Sequence, residues 1–270
     1  MSSLTLTLIQ PNLKWEDKSA NLEMLTHKIE SIKEKTEMVI LPEMFSTGFS
    51  MKPVLLAETM EGPTVNWMKK TAAARKIILT GSLIIEEEGK YYNRLILMLP
   101  NQQFGYYDKR HLFAFANEHD HYTPGDKRLI ASINGWKINL QICYDLRFPL
   151  WARQSHPISL HIGQEVEPEY DLLVYVANWP ERRNTAWKTL LRARAIENQS
   201  FVVGVNRVGE DGNNINHSGD STIIDPLGEI LYEKANEEDV FTYTLFKEKI
   251  EEVRTKFPFW RDADPFNLSS

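Results

Sequence analysis

Cys143 is the only cysteine in the 270-residue sequence, and it closes an apolar run in LQICYDLRFP where a polar turn begins. A buried free cysteine is most often a small hydrophobe. Its place here argues for chemistry, because a strand that ends in a polar turn presents its last residue at a sheet edge, where open α/β folds commonly bind ligands. Tyr144, Asp145 and Arg147 do not continue a core strand, and residues 148–154 read as the start of a helix whose amides would favour a thiolate. A thiol with a pKa of about 8.5 needs a base or a nearby cation to act at neutral pH. His111, His119, His121 and His217 lie in polar stretches, yet none forms a local Cys-His signature. Two other stretches have the strand-end character of the cysteine. Glu43 follows the apolar run of VILPEMFSTGF, and Lys109 sits in YYDKRHLF. Taken singly, a turn carboxylate and a solvated ammonium are the plainer readings of those two. Glu118, His119 and His121 in EHDHY are potential metal ligands, but a His-x-His pair alone supplies too few where a catalytic zinc keeps three in fixed geometry, so no metal is expected.

Such residues act together only if strands bring them to one place. Leu4, Leu6 and Leu8 alternate with Thr5, Thr7 and Ile9, which predicts a strand. Leu22, Leu25, Ile29 and Ile32 recur at helical spacing across 20–35, placing one apolar stripe against a sheet. The run 38–41 is a buried strand stopped by Pro42, just before Glu43. A helix over 64–75 precedes strands at 77–85 and 91–99, joined across the Glu-rich turn that ends in Gly89. Trp136–Ile142 delivers Cys143. Leu172–Val176 and Phe201–Val205 are further strands, separated by a helix marked by Trp187, Leu190, Leu191 and Ala195, and Asp225 to Gly228 turns between two more. Strands and helices alternate without linker, repeat or low-complexity stretch, so a single α/β domain over 1–270 is expected, with mixed sheets covered by helices on their outer faces. Segment 246–270 reads as a tail, polar and then aromatic at Phe257, Phe259 and Trp260, that should dock on something, a second subunit being one candidate.

A composition of 42% hydrophobic and 25% charged residues is that of a globular protein able to bury a core without staples. One cysteine excludes an internal disulfide and a cysteine-rich zinc site, which fits a reduced, cytoplasmic setting. The opening MSSLTLTLIQPNLKWED has no basic region followed by an unbroken apolar one, and no stretch approaches the roughly 18 apolar residues of a membrane span, so neither export nor membrane insertion is expected. The net charge is -6 with Lys and Arg dispersed, which argues against nucleic acid and for a small-molecule partner.

Together, LPEMFSTGF, DKRHLF and ICYDLRFP resemble, in the same chain order, the Glu, Lys and Cys motifs of the nitrilase (carbon-nitrogen hydrolase) superfamily. VANWPERRNTAWKTLLRARAIENQSFVVGVNRVG and HSGDSTIIDPLGE are similar to its later segments, so the resemblance runs from Leu4 to about Tyr243. The branch most resembled is the ω-amidases, through LPEMFSTGF, FANEHDHYTPGD and YVANWPERR. The resemblance implies a four-layer α-β-β-α sandwich, a homodimer and an amidohydrolase without cofactor. In it Glu43 would take the proton of Cys143, and the thiolate would attack the carbonyl of a primary amide. Lys109 and the backbone N–H of Tyr144 would stabilise the oxyanion, and Glu118 would match the additional glutamate of the superfamily. The ω-amidases take short α-keto acids with a terminal amide, such as α-ketoglutaramate, whose carboxylate asks for a bidentate cation. Arg147, Arg182 and Arg183 are candidates for that cation, and Phe45, Tyr144 and Trp179 for the pocket wall. Segment 155–169 departs from the pattern as an apparent inserted loop. A hydrolase of another amide or an N-carbamoyl compound is the enzymatic alternative, and a noncatalytic binding or scaffold subunit the alternative of a different class.

Overall fold

The computed structural model describes residues 2–154, 167–264 and 266. In chain order the elements are β1 (Ser3–Gln10), α1 (Lys18–Glu30), β2 (Met38–Ile40), α2 (Pro53–Leu56), α3 (Pro63–Arg75), β3 (Ile78–Glu87), β4 (Lys90–Met98) and β5 (Phe104–Asp108). They continue with β6 (Leu129–Ile133), β7 (Trp136–Ile142), α4 (Pro149–Ala152), β8 (Leu172–Val176), α5 (Asn184–Asn198), β9 (Phe201–Val205), β10 (Val208–Glu210), β11 (Asn216–Ile224), β12 (Ile230–Ala235), β13 (Asp239–Phe246) and α6 (Lys247–Lys256).

Two mixed sheets result, the first in the order β13-β1-β2-β3-β4-β5 and the second β10-β11-β9-β8-β7-β6, with β12 paired to β11. The central strands are parallel in both, β1 to β2 to β3 and β7 to β8 to β9. The short apolar runs of β2, β8 and β9 are explained by burial on both faces. Leu172, Val174 and Val176 point inward with Leu4, Leu6, Leu8, Met38, Ile40 and Leu140 into the core between the sheets. The alternate residues Leu173 and Tyr175 meet Trp187, Leu191 and Ala195 of α5 on the outer face of the second sheet. Val39 and Leu41 likewise meet Leu25 and Ile29 of α1 and Val65 and Met68 of α3 on the outer face of the first. The layers are therefore α-β-β-α, as expected. α5 sits directly on β9 because Gly204 has no side chain; a Cβ there would stand 2.6 Å from Leu191 Cδ1 and 2.8 Å from Trp187 Cζ2.

Some boundaries differ from the sequence reading. α1 stops at Glu30, where the N–H of Ser31 closes onto His27, rather than running on to 35. The stretch 148–154 yields only the single turn α4. Of the proposed inserted loop 155–169, residues 155–166 lie outside the described residues; Glu169, at its end, pairs with Arg128 at 2.8 Å. The tail docks on its own chain. α6 buries Ile250 and Val253, Arg254 bonds Asp171 Oδ1 (3.0 Å) and the carbonyls of Tyr170 (2.7 Å) and Gln199 (2.9 Å), and the N–H of Trp260 donates to Gln199 Oε1 at 3.0 Å. Trp260 is 6% exposed, whereas Phe246 and Phe259 stay 55% and 65% exposed.

Candidate active site

Three separate loops carry the site residues to the same edge of the sandwich. After β2 the chain turns through Pro42, and the N–H groups of Met44 and Phe45 bond Ser82 Oγ (2.9 Å) and Ser82 O (3.1 Å) of β3, fastening the loop that presents Glu43. Lys109 directly follows β5, and its N–H donates to Asn93 O of β4 at 3.0 Å. Cys143 directly follows β7 with φ of +45°, a left-handed backbone that L residues seldom adopt without support. It opens the single 3₁₀ turn Cys143–Arg147.

Glu43, Lys109 and Glu118 are all fully buried. Lys109 Nζ donates to Glu43 Oε1 at 2.8 Å and to Glu118 Oε1 and Oε2 at 3.0 and 2.9 Å. Asn93 Nδ2 also donates to Glu43 Oε1 (2.8 Å) and to Glu118 Oε1 (3.3 Å). The backbone N–H of Asn178 donates to Glu43 Oε2 at 2.9 Å, and that of Phe113 to Glu118 Oε2 at 2.5 Å. Two carboxylates thus bracket one ammonium. Burial works to lower the pKa of Lys109, and the charges of Glu118 and Glu43 outweigh it, so the ammonium persists across the physiological range. Burial raises the Glu118 carboxyl, with Lys109 opposing and Glu43 adding to the shift.

The thiol of Cys143 is pushed well above its usual range, first by burial and then by the negative charge of Glu43, which also takes its hydrogen bond; Lys109 pulls the other way. This corrects the expectation that helix amides favour a resting thiolate. The following helix is a single turn, and the thiol is held protonated beside a carboxylate able to take its proton. Such an arrangement can generate a nucleophile on demand, with the Lys109 ammonium ready to face developing negative charge.

Cys143, Glu43 and Lys109 open onto one cavity of about 320 Å³. Of the residues named from sequence, Tyr144, Arg147, Trp179, Arg182 and Arg183 also line it. Glu118 lies behind Lys109 rather than on the wall, and His119 turns away to pair with Asp120 at 3.4 Å, so the EHDHY residues do not converge. Among the described residues no group of three or more His, Cys, Asp or Glu side chains is placed to hold a metal. Phe45 is displaced from the expected wall. It is fully buried in the outer core of the first sheet, its ring 5.9 Å from that of Trp67, in space left by Gly81. Phe49 takes that place on the wall, its ring centroid 5.0 Å from Lys109 Nζ. Phe113, Asn178 and His217 also line the cavity; of these the sequence named only His217, as one of four histidines without a Cys-His signature. His217 is buried, and that burial together with Arg207 lowers its pKa to about 4, leaving a neutral ring. Phe49 and Phe113 had a signal, since each lies a few residues from a named polar group; Asn178 had none without the fold, and nothing in the sequence set His217 apart from the other histidines.

The arginines are distinctive in what they lack. Arg94, Arg128, Arg194 and Arg254 are ion-paired, whereas Arg147, Arg182 and Arg183 form no ion pair among the described residues. Arg147 stacks over the Trp179 ring at 5.0 Å and Arg183 over Phe113 at 5.1 Å. Burial lowers the pKa of Arg183, as do its neighbours Arg182 and Arg147.

The profile of the carbon-nitrogen hydrolase family matches residues 5–255. The chain is 41% identical over 269 residues to "Omega-amidase YafV" of Escherichia coli (strain K12), covering 99% of this chain and 100% of that protein. It is 31% identical to "2-oxoglutaramate amidase" of Bacillus subtilis (strain 168), with 96% of each covered. The crystal structure of XC1258 from Xanthomonas campestris, a CN-hydrolase superfamily protein with an arsenic adduct in its active site, superposes with a TM-score of 0.95 at 43% identity, covering all of both chains. With its sandwich, its buried Glu-Lys-Glu cluster and its thiol at a strand end, the chain belongs to the carbon-nitrogen hydrolase family, and it is an amide-hydrolysing enzyme of that family.

Proposed function

We propose that the enzyme is an ω-amidase that cleaves the terminal amide of a short α-keto dicarboxylic acid, 2-oxoglutaramate (α-ketoglutaramate) being the expected substrate. The observation that carries the reading is one cavity with a protonated thiol and its carboxylate neighbour at the floor and unpaired arginines on the wall. Glu43 takes the Sγ–H proton as sulfur adds to the amide carbonyl, and the oxyanion forms against Lys109 and the N–H of Tyr144. Collapse breaks the C–N bond, Glu43 returns the proton to departing ammonia, and the acyl group remains on sulfur as a thioester. Glu43 then deprotonates the water that attacks the thioester, and the thiolate leaves and regains its proton. Glu118 acts through Lys109, fixing the ammonium. A carboxylate at the far end of the substrate fits the arginines, because a desolvated guanidinium gains most from a bidentate anion. The names of the E. coli and B. subtilis relatives support the same substrate class.

The chain is further proposed to be a single catalytic domain with a C-terminal tail, to work in the cytoplasm, where a lone nucleophilic thiol stays reduced, and to pair with a second copy. The central test measures ammonia release from 2-oxoglutaramate and from the uncharged amide of equal length, with hydroxylamine present to intercept the thioester. The parent enzyme should prefer the charged amide by orders of magnitude and form a hydroxamate, and Cys143→Ala should form neither acid nor hydroxamate. Equal rates on the two amides would move the assignment to another linear amide or an N-carbamoyl compound. Retained hydrolysis by Cys143→Ala would remove the thioester route.

A further inference from the structure

The carboxylate of Asp145 is fully buried beneath the Cys143 turn and takes no part in the chemistry described above. It accepts four hydrogen bonds. Oδ2 receives the N–H of Ile142 at 3.0 Å and the hydroxyl of Tyr107 at 2.7 Å; Oδ1 receives the N–H of His111 at 3.0 Å and His111 Nδ1 at 2.8 Å. Ile142 immediately precedes Cys143, and His111 stands two residues after Lys109. One side chain therefore spans the loop of the nucleophile and the loop of the ammonium. The Tyr107 hydroxyl extends the link, accepting from the N–H of Arg110 at 3.1 Å and from Trp151 Nε1 at 2.9 Å. The His111 ring is stacked on Phe148, the last residue before α4, with centroids 3.8 Å apart and planes 7° from parallel.

We propose that Asp145 is a positioning residue that ties the strained Cys143 turn to the Lys109 loop and so sets sulfur, carboxylate and ammonium in register for attack, an inference that rests on the amidase reading. A carboxylate suits this task because it only accepts. Four donors converge on it, and an amide of the same shape must turn an NH₂ toward at least one of them. The left-handed backbone of Cys143 is costly unless its surroundings hold it, and the bond from the N–H of Ile142 is the nearest hold. From the other side, Arg194 of α5 donates to Leu146 O of the same turn at 2.7 Å. The turn is clamped at both ends, and it is the Asp145 end that is bonded to the loop of Lys109, through His111.

Asp145→Asn should lower kcat by about a hundredfold while KM changes little, because a reacting atom displaced by about 1 Å costs on that order. The pH midpoint for alkylation of Cys143 by iodoacetamide should fall in the same variant, since sulfur loses its fixed place beside Glu43. His111→Ala keeps the carboxylate but removes one of its donors, and should lose about tenfold in kcat; His111→Asn, whose amide can replace Nδ1–H, should recover most of it. Parent-like kcat with an unchanged alkylation profile in folded Asp145→Asn overturns the inference. Should that variant not fold, the histidine pair decides, and His111→Asn performing no better than His111→Ala overturns it too. Cys143→Ala separates this failure from that of the amidase reading: an active Cys143→Ala sinks the reading, whereas an inactive one beside a fully active Asp145→Asn sinks the tie alone.

Discussion

At the residue scale, the site holds opposed charges buried away from bulk solvent. Lys109 keeps its proton because Glu43 and Glu118 overcome the penalty of burial, and Cys143 keeps its proton because burial and Glu43 act in the same direction. The sign of each effect can be tested separately from turnover. In Glu43→Gln a negative charge that raises the thiol pKa is gone, so iodoacetamide should alkylate Cys143 faster at neutral pH than in the parent, even as hydrolysis falls by orders of magnitude for want of a base. Lys109→Ala removes the charge that opposes the shift, so its alkylation should be slower and its pH midpoint higher. Slower alkylation in Glu43→Gln would mean that the carboxylate does not control the thiol.

At the element scale, catalysis depends on how the second sheet is backed. α5 holds the Cys143 turn through Arg194 and closes the outer face of β8 and β9 through Trp187 and Leu191. Its close seat requires Gly204, and Gly204→Ala should lower unfolding free energy by about 1–3 kcal/mol through overpacking, as urea denaturation can measure. Kinetics at temperatures where the variant stays folded should show a fall in kcat as well, since the same helix braces the turn. Unchanged stability would mean that the helix shifts to accommodate the methyl at no cost.

At the scale of the whole molecule, β13 pairs with β1 in eight registered positions, from Ser3 with Phe246 to Gln10 with Asp239, and thereby closes the first sheet with strands from opposite ends of the fold. α6 and Trp260 then lie against the second sheet and α5 through Asp171, Tyr170 and Gln199. The tail spends part of its apolar surface on its own chain. Ile196, Leu227, Ile230, Phe246 and Phe259 remain 44–65% exposed, and large exposed apolar groups of this kind are a cost that association removes. Sedimentation velocity at micromolar protein should find a dimer; a fully active monomer would mean that these side chains serve no assembly.

Much of this architecture is local information. Leu172–Val176 and Phe201–Val205 are continuous apolar runs, and they form strands with those bounds because burial on both faces leaves no polar position to interrupt them, while Trp136–Ile142 is marked by alternation, Trp136, Ile138, Leu140 and Ile142 taking one face and Lys137, Asn139 and Gln141 the other. Glu43 and Cys143 were legible for a related reason, each standing just beyond the end of a strand read from the sequence, and Lys109, which follows β5, was legible only through its motif DKRHLF. The weaker strands β5, β6 and β13 were not, since their half-buried, mixed patterns acquire meaning only from partners far away in sequence. Phe45 and Phe49 show the same limit within one loop, for nothing in LPEMFSTGF says which ring faces the helix layer and which the cavity. Long-range placement decided that choice, as it decided that Asp145 lies under the Cys143 turn and that three arginines line one cavity without forming an ion pair among the described residues. Sequence determined which side chains could act because strand ends are set by local patterning; tertiary structure determined their charge states and mutual distances because burial and Coulomb interactions depend on neighbours brought in by other strands.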